Sequence, residues 1–275
     1  MQSFLLSGAY AVLLWWFGTG IILFLNRLPA RTFSRSLLAA SLLLLVAIAG
    51  LLWSRTDDSV AGAYIAFTSG FLIYAWLELT YYMGYITGPR KIRCKENCAG
   101  WAHFGHAVQT NLYHEAATIL FGILALVLCK DQPNQTGMWT FLLLWGMQLS
   151  AKLNVYLGVR NLSEEFVPVH LQHLKSFLRQ RPMNMLFPLS ITVGTLLAGW
   201  LVLQTLEAGK DTHEATAYMF LTSLALLAVL EHWLLVLPIS TTAAWQWWLE
   251  ATQVVEKRSS AGIDDTQRAE IHSFP

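Results

Sequence analysis

Polar and ionisable side chains interrupt four strongly apolar stretches of the sequence. Each ionisable group costs about 2.5–3.5 kcal/mol to place at the centre of a membrane-spanning helix, so each needs a structural or functional reason. Glutamate and histidine are the ligands of carboxylate-bridged di-iron centres in helical bundles, and histidine is also an axial ligand of tetrapyrroles. The residues concerned are Glu78, His114, Glu115, Lys152, Asn154, Glu231 and His232.

Three interpretations of this set remain open. In the first, Lys152 neutralises a carboxylate, Asn154 and the histidines hydrogen-bond the others, and the network holds a bundle together. In the second, a di-iron-like metal site takes its ligands from Glu78, His114, Glu115, Glu231 and His232, with Glu165 and His170 as weaker candidates from a loop. In the third, His114 or His232 is the axial ligand of a tetrapyrrole.

The spacing of the acidic residues and histidines bears on the metal interpretation. The Glu-x-x-His pattern of di-iron bundles is absent, because each of the two pairs is adjacent in sequence. Adjacent residues point about 100° apart on a helix, so one member of each pair is expected to face away from a shared site.

Further potential metal ligands lie in two basic stretches, one after the third and one after the fifth apolar segment. Cys94 and Cys98 are four residues apart, which falls short of a two-by-two zinc pattern and favours reduced thiols without a function. Two histidine pairs have the i, i+3 spacing of membrane-desaturase histidine boxes, but the full set of boxes is missing, which favours solvated loop histidines. These pairs are His103 with His106 and His170 with His173.

The composition is that of a membrane protein. Of the 275 residues, 55% are hydrophobic and only 13% are charged, against about 25% charged in soluble domains, and the mean hydropathy is +0.45. The net charge of +1 leaves no basic excess for binding nucleic acid. Three cysteines exclude a disulfide scaffold, and the 12 Trp and nine Tyr are typical of aromatic belts at membrane interfaces.

Seven segments are long and apolar enough to predict membrane-spanning helices. The sequence therefore predicts an all-α, polytopic integral membrane protein built as a bundle of about seven transmembrane helices. The predicted spans are residues 4–25, 36–53, 60–85, 107–128, 137–157, 184–206 and 217–237.

The basic residues predict the orientation of these spans. The loops after the first, third and fifth spans, together with the tail, carry 14 of the 18 Lys and Arg residues. By the positive-inside rule these regions are cytoplasmic, so the N-terminus is expected outside and the C-terminus in the cytoplasm. The domain prediction is a transmembrane domain over 1–238 and a cytoplasmic tail over 239–275, which begins as an interfacial helix and then becomes disordered.

With this orientation the polar residues of the spans form one layer. At 1.5 Å per residue they lie roughly 5–12 Å below the cytoplasmic interface. His114 and Glu115, for example, are expected seven to eight residues inside the fourth span.

Several sequence blocks identify a family resemblance, and they include every polar residue of this layer. The longest is residues 145–166, with Ser-Ala-Lys-Leu-Asn at 150–154, and the others are residues 15–20, 60–64, 76–78, 87–90, 113–115, 181–188 and 230–233. With these blocks the chain resembles the photosynthetic complex assembly protein 2 family, also called PuhE, of anoxygenic phototrophic bacteria.

The resemblance implies a role but no catalytic residues. It implies a multi-pass protein of the inner (intracytoplasmic photosynthetic) membrane that supports reaction-centre assembly or bacteriochlorophyll synthesis. Its partners would be the lipid bilayer and reaction-centre subunits, light-harvesting subunits or bacteriochlorophyll-pathway enzymes. The alternative is a membrane-embedded, di-iron-like oxidoreductase acting on a bacteriochlorophyll precursor. The cofactor would accordingly be iron, or bacteriochlorophyll or its precursor, and whether the protein is an enzyme stays open.

Overall fold

The computed structural model describes residues 2–95, 98–209 and 211–238, and this part of the chain is helical without strands. Three short 3-10 helices accompany the α-helices, at Ala30–Thr32, Glu164–Phe166 and Val169–Phe177. The α-helices are α1 (Gln2–Arg27), α2 (Phe33–Ser54), α3 (Val60–Tyr82), α4 (Gly100–Gln109), α5 (Leu112–Cys129), α6 (Thr136–Leu157), α7 (Phe187–Glu207) and α8 (His213–Val236).

Six of the described helices are long and apolar enough to cross a membrane, namely α1, α2, α3, α5, α7 and α8. The prediction of a helical, polytopic membrane protein is therefore confirmed. The fifth predicted span corresponds to α6, which has 22 residues but is less apolar, because it carries Gln148, Lys152 and Asn154. The predicted tail, 239–275, lies outside the described residues.

The fourth predicted span is shorter than expected. Helix α4 ends at Gln109 and α5 begins at Leu112, so residues 107–111 do not belong to the span. Gly88 packs against this junction so closely that a Cβ there would overlap the Gln109 carbonyl oxygen. The backbone N–H of His114 donates to the Thr87 carbonyl at 2.9 Å. The connection that follows α3 thus packs against the junction between α4 and α5. The expected depth of seven to eight residues was wrong, since His114 is the third residue of α5.

Helix α3 is the central element of the bundle, with buried residues along most of its length. It packs on α1, α2, α5, α6 and α8. Its crossing with α6 is close, because a Cβ on Gly70 would overlap the Gly137 carbonyl oxygen. On another side, the rings of Phe67 and Phe220 stack with centroids 4.3 Å apart. These contacts hold α3 between α6 and α8.

The segment between α6 and α7 covers one end of the bundle. Asn161 Nδ2 donates to the carbonyls of Leu234 and Leu237, each at 2.6 Å, so this segment is tied to the end of α8. At its other end Asn184 Oδ1 accepts from the N–H of Leu186 at 2.8 Å and starts α7. We call the end of the bundle that this segment covers the polar end, because the polar residues of α3, α5, α6 and α8 lie towards it.

Candidate functional site

Three helices bring two carboxylates and one lysine together near the polar end. Lys152 Nζ of α6 lies 3.5 Å from Glu78 Oε1 of α3 and 3.4 Å from Glu115 Oε1 of α5. All three side chains are at most 15% exposed. We call Glu78, Glu115 and Lys152 the carboxylate–lysine cluster. Because α5 packs against both α3 and α6, the two glutamates reach the lysine from different helices.

Further side chains contact both carboxylates. Tyr74 donates to Glu78 Oε1 at 2.8 Å, and His114 Nε2 lies 3.3 Å from the same oxygen. Trp145 Nε1 donates to Glu115 Oε2 at 3.2 Å, and Asn111 Nδ2 donates to Oε1 at 3.1 Å. Buried charges are stable only when they are paired and hydrogen-bonded, and each carboxylate here meets that condition.

Two predicted site residues lie in a separate structural contact among α6, α7 and α8. His232 Nδ1 donates to the Ala228 carbonyl at 2.8 Å, so its Nε2 accepts from Ser150 at 2.9 Å. Asn154 Nδ2 donates to Ser190 Oγ at 2.9 Å, and its Oδ1 accepts from Asn184 Nδ2 at 3.1 Å. Both side chains are fully buried, and protein groups occupy their polar atoms.

The remaining predicted residues do not join the carboxylate–lysine cluster. No hydrogen bond or ion pair in the described part of the chain links it to Glu231, Glu165 or His170. Glu231 lines a cavity instead. Glu165 is exposed, and His170 Nε2 donates to the Tyr82 carbonyl at 2.8 Å.

A cavity of about 400 Å³ adjoins the cluster between α1, α3, α6 and α8. Its polar lining includes Glu78, Lys152 and Glu231, and residues 161–163 and 166–168 line it towards the polar end. Glu231 is an exposed residue, and among the described residues its carboxylate forms no hydrogen bond or ion pair. The remaining wall is mainly apolar and aromatic, and includes Trp15, Phe71, Tyr74, Tyr81, Tyr82 and Leu144.

Sequence reasoning missed the aromatic part of this wall. Tyr74, Glu78, Tyr81 and Tyr82 of α3 all line the cavity. Their spacing of three and four residues places them on one helix face. This pattern was the signal that could have identified the tyrosines beside Glu78.

The described Cys, His, Asp and Glu side chains that converge to metal-binding distance are Cys94, Cys98 and His106. Their potential ligand atoms all lie within 4.8 Å of one another. The predicted set of glutamates and histidines in the spans does not form such a group. The structure thus brings together, with His106, the two cysteines that the sequence favoured as reduced thiols without a function.

Comparison with known proteins identifies the family. A family model described as "Protein of unknown function (DUF3623)" matches residues 1–256. The chain belongs to the DUF3623 family. It is also 37% identical over 246 residues to a Rhodobacter capsulatus protein described as "Uncharacterized 30.4 kDa protein in puhA 5'region", covering 88% of this chain and 89% of the relative. No solved structure matches.

Proposed function

We propose that this DUF3623 protein supports reaction-centre assembly or bacteriochlorophyll supply by holding an amphipathic ligand inside the membrane. The observation that carries the proposal is the cavity of about 400 Å³ beside the carboxylate–lysine cluster. The photosynthetic part rests on the relative from the puhA region of a photosynthetic bacterium and on the resemblance to the PuhE family.

The cavity has the chemistry of a site for a ring system with polar substituents. Its volume lies within the range of about 300–1,000 Å³ that is typical of small-molecule sites. Trp15 and Phe71 offer flat apolar contacts, and the exposed residue Glu231 places a carboxylate in the lining. A tetrapyrrole precursor combines an apolar macrocycle with polar edges, so it is the ligand class that we propose.

The histidines have a structural role in this proposal. His114 and His232 are each at most 2% exposed and are not among the residues that line the cavity. The hydrogen bond from Ser150 to His232 and the contact of His114 with Glu78 support bundle-stabilising roles for both rings. The ligand is therefore proposed to bind through the cavity walls and Glu231.

The arrangement of the cluster favours an ion-pair network over a di-iron-like centre. Lys152 Nζ lies between the carboxylates of Glu78 and Glu115, where a bridging metal ion would otherwise balance their charge. His232 bonds to Ser150, away from the two glutamates. We therefore propose an assembly or supply factor and derive no catalytic step.

We further propose that α6 also spans the inner photosynthetic membrane, with the N-terminus outside and the C-terminus in the cytoplasm. The polar side chains Gln148 and Lys152 of α6 face the cavity and so avoid lipid. Reporter fusions test this topology. A fusion after residue 206 should be periplasmic and one after residue 238 cytoplasmic. Any other result, including the reversed placement expected if α6 does not span, would refute the seven-span arrangement.

A deletion strain complemented with variants tests the function. Loss of the protein should reduce reaction-centre content without accumulation of a single biosynthetic intermediate, and accumulation of one such intermediate would instead support the oxidoreductase. Glu231→Gln should reproduce the deletion, because it removes the unpaired carboxylate of the cavity. Glu207→Gln is the matched control, since this exposed carboxylate at the end of α7 bonds only Gln204 among the described residues. Equal phenotypes for both variants would refute the role of the cavity.

A further inference from the structure

Two cysteines and two histidines meet in the connection between α3 and α5. Cys94 Sγ lies 3.3 Å from His103 Nδ1, and Cys98 Sγ lies 3.2 Å from His106 Nδ1. Cys94, Cys98 and His106 form the group within 4.8 Å described above, and His103 adjoins it through Cys94. His103 and His106 share one face of α4 because they are three residues apart.

These distances suit a tetrahedral zinc ion. Structural zinc sites have four ligands, with Zn–S near 2.3 Å and Zn–N near 2.0 Å, so sulfur and nitrogen ligands stand about 3.6 Å apart. The two observed S–N distances are within a few tenths of an ångström of that value. Cys94, Cys98 and His106 already converge, and His103, which lies outside that group, would have to move towards it to complete the tetrahedron. Two cysteines and two histidines form the donor set that selects Zn²⁺ over Mg²⁺ or Ca²⁺.

A hydrogen bond and burial orient the His103 ring in a way that suits a metal ligand. Its Nε2 lies 3.3 Å from the Phe177 carbonyl oxygen, and a carbonyl only accepts, so Nε2 carries the proton. Nδ1 therefore presents its lone pair towards Cys94. A metal-binding histidine that donates its other N–H to a backbone carbonyl is the usual outer-shell arrangement. His103 is also 94% buried (6% exposed), which fixes the ring.

The same group joins two segments at the polar end. The Cys94 N–H donates to Ser176 Oγ at 2.9 Å, and Phe177 packs with Ala107 and Tyr156 in a small buried cluster. Residues 169–177 directly follow the segment that lines the cavity. An ion held by α4 and the preceding loop would therefore fasten α4 and the cover of the cavity into one unit.

We propose that Cys94, Cys98, His103 and His106 bind one structural Zn²⁺. The ligands are two thiolates and two neutral imidazoles bound through Nδ1, and binding releases two thiol protons. The site lies in the loop that the positive-inside pattern assigns to the cytoplasm, where thiols stay reduced and available as ligands.

Cobalt binding to the full-length protein in mild detergent is the first test. After chelator treatment, Co²⁺ should bind at one ion per chain with the visible spectrum of a tetrahedral site and thiolate-to-cobalt charge transfer, and Zn²⁺ should displace it. Cys98→Ser and His106→Ala should weaken binding by more than about 100-fold, beyond the 10–100-fold effect typical of losing an outer-shell partner. Cys129→Ser and His213→Ala should bind like wild type, because both residues lie far along the sequence from the site and outside the converging group.

Thiol alkylation of the wild-type protein keeps the proposal testable if the variants fail to fold. Zn²⁺ should protect Cys94 and Cys98 from alkylation, and removal of Zn²⁺ should restore their reactivity, with each site read by mass spectrometry. Two thiol–imidazole hydrogen bonds without a metal would give the same distances. In that case Co²⁺ shows no tetrahedral spectrum and Zn²⁺ leaves alkylation unchanged, and this result would overturn the proposal.

Discussion

Replacement of Lys152 with methionine should destabilise the protein strongly. Methionine preserves much of the length and the apolar stem of lysine but removes the charge that contacts Glu78 at 3.5 Å and Glu115 at 3.4 Å. Two buried carboxylates would then face each other's charge without a cation. Removal of one partner of a buried ion pair costs about 3–5 kcal/mol.

The free energy needed to protonate a glutamate gives an independent magnitude for this loss of stability. A glutamate that ionises near pH 4.3 in water needs about 4 kcal/mol to hold a proton at pH 7. The variant can escape the unpaired charge by protonating one glutamate, so about 4 kcal/mol is the expected loss of stability at pH 7. Because the proton replaces the lysine charge, the loss should shrink on acidification, by about 2 kcal/mol between pH 7 and pH 5.5.

The free energy of unfolding in mixed micelles, titrated with a denaturing detergent, measures both effects. Lys130→Met is the matched control, because Lys130 is exposed after α5, and its loss should stay within about 0.5 kcal/mol. Glu115→Gln should cost less than Lys152→Met, since it keeps the contact of Lys152 with Glu78. A loss for Lys152→Met below about 1 kcal/mol that does not change with pH would refute the cluster as a buried, charge-paired network.

The same unfolding assay tests two further contacts. Gly70→Ala should lower the free energy of unfolding by about 1–3 kcal/mol, because the added methyl group overpacks against Gly137. Gly146→Ala is the control: its added Cβ meets open space, so stability should be unchanged or rise by up to about 1 kcal/mol. Equal effects of the two substitutions would contradict the close α3–α6 crossing. Asn184→Ala should lose about 1–3 kcal/mol, because Asn184 donates to the Gly158 carbonyl and accepts from the Phe187 backbone N–H. An unchanged stability would show that these two hydrogen bonds do not stabilise the start of α7.

The class of protein and the approximate positions of the long helices were predictable from the sequence. Hydropathy is a local property, because a helix in lipid satisfies its backbone hydrogen bonds within its own segment. The same logic located the polar residues towards one end of the bundle. The break between α4 and α5 was not predictable, because it depends on Thr87 and Gly88, which reach the junction from the preceding connection.

The grouping of the polar residues required the tertiary structure. Adjacent residues were expected to diverge, yet both His114 and Glu115 lie at the cluster. His114 contacts Glu78 of α3, and Glu115 contacts Lys152 of α6. Glu231 and His232 do separate, one towards the cavity and one towards Ser150. Sequence spacing gives angles around one helix, whereas the partner on each side depends on which helices pack there.

The cysteine–histidine group shows the same division between local and tertiary information. The sequence alone determined that Cys94, Cys98, His103 and His106 lie within one short stretch of a basic loop. Only the fold decided that Cys94, Cys98 and His106 converge and that His103 lies beside Cys94, with the Phe177 carbonyl orienting its ring. Residue types and helical periodicity are local properties of the sequence, whereas the distances between side chains depend on contacts between segments that are far apart in it.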